Sequence, residues 1–172
     1  AILCRRVLSR WIGREDVLLD VGGGYCELAN AAHARRRIVV DLNPHAPRHA
    51  APGVEVHLAS AEEMGFLADG EVDVVFSSNF FEHLPDKGSL TRVLGEIRRV
   101  LRPGGRLLAV GPNVRLMPGS YWDYYDHHLP LSERSLAEAL LMCGFTLERI
   151  DARFLPATTR PRCSSRGASA PV

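Results

Sequence analysis

Asp20-Val21-Gly22-Gly23-Gly24 puts three glycines just after an acid, where an apolar run hands over to an alanine-rich stretch. Glycine enters positive-φ conformations at little cost and lets a ligand reach the backbone. Asp41 closes the next apolar run, 21 residues after Asp20. An acid at about 20 residues past such a turn can accept both hydroxyls of a ribose. The pair implies a nucleoside ligand; the plain alternative is a tight turn with a helix-capping aspartate. A dinucleotide turn calls for G-x-G-x-x-G or a final alanine. Counted from Gly22, the last position is Glu27, too large for close helix–strand contact and ill placed beside a pyrophosphate. Asp20 also repels phosphate and suits a cation. The expected ligand is therefore a positively charged nucleoside, and a nucleotide-dependent oxidoreductase is disfavoured.

Proton transfer near pH 7 is most often histidine chemistry. The catalytic candidates are His83, His127 and His128. His83 stands in Phe80-Phe81-Glu82-His83-Leu84, where a second reading gives Glu82-His83-Leu84 the task of capping a helix and ordering a loop. His127 and His128 end the run Tyr121-Trp122-Asp123-Tyr124-Tyr125-Asp126-His127-His128. Its aromatics can wall an apolar acceptor pocket, with acids and histidines as polar handles, or simply pin the loop to the core. Glu82, His83 and either His127 or His128 are ligand types for a divalent cation, but their spacing enforces no site and no metal is expected. Cys4, Cys26, Cys143 and Cys163 form no CxxC pair. They read as packing thiols in a reducing compartment, with the cytoplasm as the expected location.

These residues need a scaffold, and short apolar runs alternate with helical patterns, the sign of an α/β fold with a mostly parallel sheet. A helix is expected over 2–11. Strands are expected at 17–21, 38–41, 54–58, 72–76 and 106–110, with a sixth over 145–154. The alternation of Val54-Glu55-Val56-His57-Leu58 predicts an edge strand. A helix should follow the glycine turn to about His33. Another should cover 89–101, and a third should start from a Ser132 cap and end at Gly144. Residues 111–131 form a long connection, the kind that often carries function.

The chain has 172 residues, 46% hydrophobic and 24% charged, with a net charge of +1. That composition fits one domain with an ordinary core. The balance gives no field for nucleic acid or an anionic membrane, and no apolar run nears the ~18 residues of a membrane span. Arg35-Arg36-Arg37 and Arg98-Arg99 are expected on solvated faces. One domain is expected over 1–154. The Pro-, Ser- and Arg-rich stretch 155–172 is expected to be a disordered or altered tail.

Taken together, these segments resemble the class I S-adenosylmethionine-dependent methyltransferases, over about residues 15–150. Asp20 through Gly24 resembles the family's first motif, whose glycines bracket the methionine moiety; Cys26 stands where relatives often have a third glycine. Asp41-Leu42 resembles the second, with the acid on the ribose and the apolar residue against adenine. Ala59-Ser60-Ala61-Glu62 resembles the third, beside the adenine, with Ser60 where many relatives have aspartate. Asp73 through Asn79 with the following loop, and Leu101 through Leu107, resemble the fourth strand and the turn into the fifth. The resemblance implies a three-layer Rossmann-like sandwich, here with its last strand weak or missing. It implies S-adenosylmethionine as cofactor, held by Asp20, Gly22, Gly23, Gly24, Asp41, Leu42, Ser60, Ala61, Glu62 and Ser78. It also implies methyl transfer to a small-molecule acceptor. The alternative is a catalytically silent domain that binds S-adenosylmethionine or a partner.

Overall fold

Val17–Val21 forms strand β1, and all five residues are buried. A strand buried on both faces reads as a continuous apolar run, and parallel sheets cover both faces with helices. β1 pairs in parallel with β2 (Arg36–Asp41) on one side and β4 (Val72–Ser78) on the other. β3 (Val54–Leu58) lies outside β2, and β5 (Leu101–Val110) lies outside β4. The sheet order is β3-β2-β1-β4-β5, all parallel, in a computed structural model that describes residues 10–117 and 119–153.

The helices sit on both faces. α1 (Glu27–Ala31) places Leu28 against Leu18, Val74 and Phe76 on one face. On the other, α2 (Lys87–Val100) contributes Leu90, Val93, Leu94 and Ile97 to the core around Leu19, Val21, Ile38 and Val40. Their three- and four-residue spacing keeps them on one helical stripe. Asp86 caps α2 by accepting from Ser89 N at 2.7 Å. α3 (Glu133–Met142) starts from Ser132 in a capping box with Ser135. It ends at Gly144, φ +82, where Gly144 N and Phe145 N donate to the carbonyls of Leu141 and Leu140. That is the Schellman closure a C-terminal glycine permits.

The expected fold class holds, with three differences in its parts. The helix after the glycine turn is only five residues long. Its entry residue, Cys26, sits at φ +60, and Ala32 is already extended. β5 begins at Leu101 rather than 106, because the chain pairs Val72 with Leu101 before a bulge restores pairing at Val74–Arg106. Residues 145–153 form no strand; Phe145 and Leu147 are half-buried and the rest are exposed. A strand exists by pairing, and no described segment pairs with the free side of β5. Residue 154, the tail over 155–172 and most of the helix expected over 2–11 lie outside the described residues.

Two arginines expected on solvated faces are half-buried staples instead. Arg36 bridges Glu55 and Glu71. Arg99 pairs with Glu96 and Asp69 and donates to the carbonyls of Met64 and Leu67. Among the described residues, no helix is long and apolar enough to cross a membrane.

Leu94 is fully buried and Leu141 is 56% exposed. Leu94→Ala should cost roughly 2–5 kcal/mol. Leu141→Ala should stay within about 0.5 kcal/mol. Urea unfolding with unchanged slope checks both.

Candidate functional site

The register aligns the carboxyl ends of β1, β2, β4 and β5, since Val21 is opposite Val40 and Ser77, and Ser78 is opposite Val110. Strand order reverses between β1 and β4, and ligands in open α/β sheets bind beyond that point. The glycine turn leaves β1 there. Gly22 has φ +69, and a Cβ on it would lie 2.5 Å from the Phe80 ring. A Cβ on Gly23 would lie 2.8 Å from Val39 and 3.0 Å from the Asp20 carboxyl carbon. Gly24, at φ +48, has open space around its Cβ position. Two glycines thus allow close packing beneath the turn, and the third faces outward.

Asp41 ties the turn to β2. Its Oδ2 accepts from Gly24 N and its Oδ1 from Asn43 N, both at 2.7 Å. Each oxygen keeps a lone pair for a further donor. Leu42, next along the chain, is 74% exposed, an apolar surface beside that carboxylate. Ser60 Oγ accepts from Glu62 N at 3.2 Å, and Ala61 is buried behind it. The Glu62 carboxylate is taken by Arg92 of α2 at 2.5 Å, which leaves it less free for a ligand than its position in the chain suggests.

Asp20 lies under the turn, 3% exposed. Burial pushes its carboxyl up to about 7 from the ordinary 3.8; a backbone hydrogen bond from Ala29 offsets part of this, and the nearby Asp41 adds to it. Among the described residues, no cationic side chain pairs with Asp20. Cys26 is buried, with its thiol 3.5 Å from the carbonyl of Ala46. Burial and then the Asp20 and Asp41 charges raise the thiol. Its φ of +60 explains why glycine suits this position: the left-handed region is costly for a residue with a Cβ.

Across the switch point, β4 runs out through Ser77 and Ser78 to Asn79, φ +48, whose N–H donates to Val110 O at 2.9 Å. Phe81–His83 forms a single 3-10 turn. Glu82 is 2% exposed. Its carbonyl accepts from His128 N and Leu129 N, and its Oε1 accepts from the Tyr121 hydroxyl at 2.9 Å. The loop-ordering reading of Glu82-His83-Leu84 therefore describes what Glu82 does. Glu82 Oε2 and Ser77 Oγ are buried without a hydrogen-bond partner among the described residues. Burial, and then the Glu82 charge, raise the Tyr121 hydroxyl well above its ordinary range.

The structure brings His83 and His127 together, with ring centroids 5.0 Å apart. His127 stacks on Tyr121 at 4.3 Å and bonds Tyr121 O through Nδ1 at 2.6 Å. His83 Nδ1 lies 3.0 Å from Asp126 O and 3.3 Å from Asp126 Oδ2. A carbonyl only accepts, so each bond places the proton on Nδ1 and leaves Nε2 as the basic nitrogen. His128 stands apart from this cluster, its exposed ring 6.3 Å from that of Tyr125. Sequence reasoning does not single out Phe80 over Gly22 or Asp126 beside His83. Neither has a spacing signal, because both contacts are made between loops from different strands.

A methyltransferase-domain family profile matches residues 19–109, more than half of the chain. A Mycolicibacterium smegmatis protein named as a probable S-adenosylmethionine-dependent methyltransferase is 32% identical over 152 residues, covering 86% of this chain and 58% of its own. A sarcosine/dimethylglycine N-methyltransferase of Halorhodospira halochloris is 32% identical over 117 residues, 61% of this chain and 40% of its own. The fold also superposes on a chain of the complex between the Haloferax volcanii Trm112 methyltransferase activator and a methyltransferase. That match has a TM-score of 0.73 and 16% identity, covering 96% of this chain and 81% of that one. The chain belongs to the class I S-adenosylmethionine-dependent methyltransferase family, whose methyl donor is S-adenosylmethionine. It spans about half the length of the curated relatives it matches.

Gly22→Ala should destabilise the fold by about 1–3 kcal/mol, since the methyl group meets Phe80 and the backbone is left-handed. Calorimetric melting checks it. Asp20 keeps its proton in the folded state over a range where the unfolded chain has lost it. Stability should therefore fall as pH rises from about 4 towards about 7, by on the order of 1 kcal/mol for each pH unit crossed. Asp20→Asn should flatten that fall. An unchanged pH profile in the variant would remove Asp20 as its source.

Proposed function

We propose that this chain binds S-adenosylmethionine over the glycine turn and transfers its methyl group to a small-molecule acceptor. The observation that carries the reading is the pair of buried carboxylates, Asp20 and Glu82, flanking the switch point without a cationic partner among the described residues. A ligand with an ammonium and a sulfonium offsets such charge, and a pyrophosphate does not. The donor set fits as well. Gly22, Gly23 and Gly24 let a ligand approach the backbone. Asp41 has lone pairs left for ribose hydroxyls, Leu42 offers an apolar face for adenine, and Ser60 and Ala61 follow β3, the strand paired with β2. Ser78 lies at the end of β4 on the same rim.

The bound sulfonium supplies an already activated methyl group. The chain's own part is alignment and exclusion of water, which can supply roughly 7–11 kcal/mol. Tyr121, Trp122 and Tyr124 crowd His127 beyond β5, a partly exposed aromatic wall for the acceptor. His83 and His127 offer Nε2 as the atom that takes an acceptor proton. His128 is the poorer candidate because its ring lies outside the cluster. The small-molecule class of acceptor is supported by the balanced charge of the chain. It is also supported by relatives such as the sarcosine/dimethylglycine N-methyltransferase. Free thiols at Cys26 and Cys143 agree with the cytoplasm as location.

Calorimetric titration with S-adenosylhomocysteine should give micromolar binding, and NADH should give none. Asp41→Ala should weaken the first at least about tenfold, the loss of one charged hydrogen-bond acceptor. Asp20 should also release a proton when a cation settles beside it, so the binding heat below pH 7 should vary with the ionisation enthalpy of the buffer. Absent binding by a folded sample, or binding of NADH, would overturn the proposal. Cofactor binding with no turnover across an acceptor screen would favour the silent-domain reading instead.

A further inference from the structure

His83, Asp126 and His127 come from two loops, and one donor atom of each lies within 4.8 Å of those of the other two. Ligand atoms on a tetrahedral ion with bonds of about 2.1 Å lie roughly 3.4 Å apart. Side-chain rotation is needed to close that difference, and two of the three residues, His83 and Asp126, are exposed.

Two further features distinguish the cluster from a chance meeting of polar side chains. The first is orientation. Metal-binding histidines nearly always donate their second ring N–H to a carbonyl or carboxylate, which fixes the tautomer. His127 Nδ1 has that arrangement on Tyr121 O, and His83 Nδ1 has it on the backbone carbonyl of Asp126, whose carboxylate is the separate group offered to the ion. Tyr121 is itself held, with its hydroxyl on Glu82 and its ring stacked on His127. The second is charge. Glu82 precedes His83, is buried, and has one oxygen without a partner among the described residues. A cation in the adjacent cluster would ease the cost of that buried carboxylate.

We infer that His83, Asp126 and His127 bind a divalent cation of the borderline class, such as Zn²⁺; the ion would take the Nε2 lone pairs, so at any one time these histidines either hold the ion or accept a proton. Two imidazoles and one carboxylate select that class over Mg²⁺ or Ca²⁺, which prefer all-oxygen sets. Three protein ligands leave a coordination position open. The loops after β4 and β5 put that position at the same rim as the glycine turn, where an acceptor oxygen could occupy it. The purpose of the site rests on the methyltransferase reading; the test of its existence does not.

The test is calorimetric titration of the chelator-treated chain with Zn²⁺, repeated with Co²⁺ while its visible absorption is followed. One ion per chain should bind with micromolar affinity, and Co²⁺ should show the intense bands of a site with four or five ligands. His83→Ala, His127→Ala and Asp126→Asn should each weaken binding at least about tenfold. His33→Ala, which removes an exposed histidine elsewhere, should leave it unchanged. Circular dichroism of each variant confirms that it is folded. A wild-type chain with no saturable site overturns the inference, as does unchanged affinity in the three folded variants, which marks surface binding only. S-adenosylhomocysteine titrated into the same samples separates the two proposals. Nucleoside binding without ion binding removes the metal site alone; ion binding without nucleoside binding removes the cofactor reading and leaves the site standing.

Discussion

Parallel pairing on both sides of β1 is the constraint on which the rest of the structure depends. A strand held between β2 and β4 has no free edge, so its backbone groups find partners on both sides, and the helices on both faces bury its side chains, Asp20 among them. The same pairing sends the next connections in opposite directions across the sheet. β1 leads outward to β2 and β3, and the chain must return to add β4 and β5 on the other side. The connections after β1 and β4 therefore run to opposite faces of the sheet, and the site lies at the rim where they diverge, with Phe80 packed over Gly22.

The materials around that gap are costly ones. Asp20 and Glu82 are buried carboxylates with no cation beside them among the described residues. Cys26 and Asn79, the two non-glycine residues with positive φ among the described residues, both lie there. Elsewhere the chain follows local rules: α2 and α3 have side-chain caps, and α2 buries one apolar stripe. Local cost concentrated at one rim, with consistency everywhere else, is the pattern expected of a functional site.

Much of the scaffold is legible in the sequence because it rests on local patterns. β1 and β3 match their expected bounds, since five-residue apolar or alternating runs bounded by turns admit little else. The loose flank is less legible. Phe145-Thr146-Leu147 has a strand-like composition, but composition cannot provide a pairing partner, and residues 145–153 remain without one. The helix after the glycine turn is shorter than its composition suggests for a related reason. Its alanines favour helix, yet the left-handed entry at Cys26 and the need to reach β2 leave room for five residues.

The glycine turn, Asp41 and the order of the motifs were determined by sequence alone, because residue type and spacing along the chain carry their chemistry. Only the tertiary structure decided which side chains meet. His83 and His127 are 44 positions apart with no spacing signal that links one to the other, yet their rings lie 5.0 Å apart. It also separated His127 from its neighbour His128, and gave Glu62 to Arg92 while leaving Asp20 and Glu82 without a cation among the described residues. The physical reason is common to all of these. Burial and charge pairing are properties of neighbours in space, and parallel strands gather those neighbours from loops far apart in sequence.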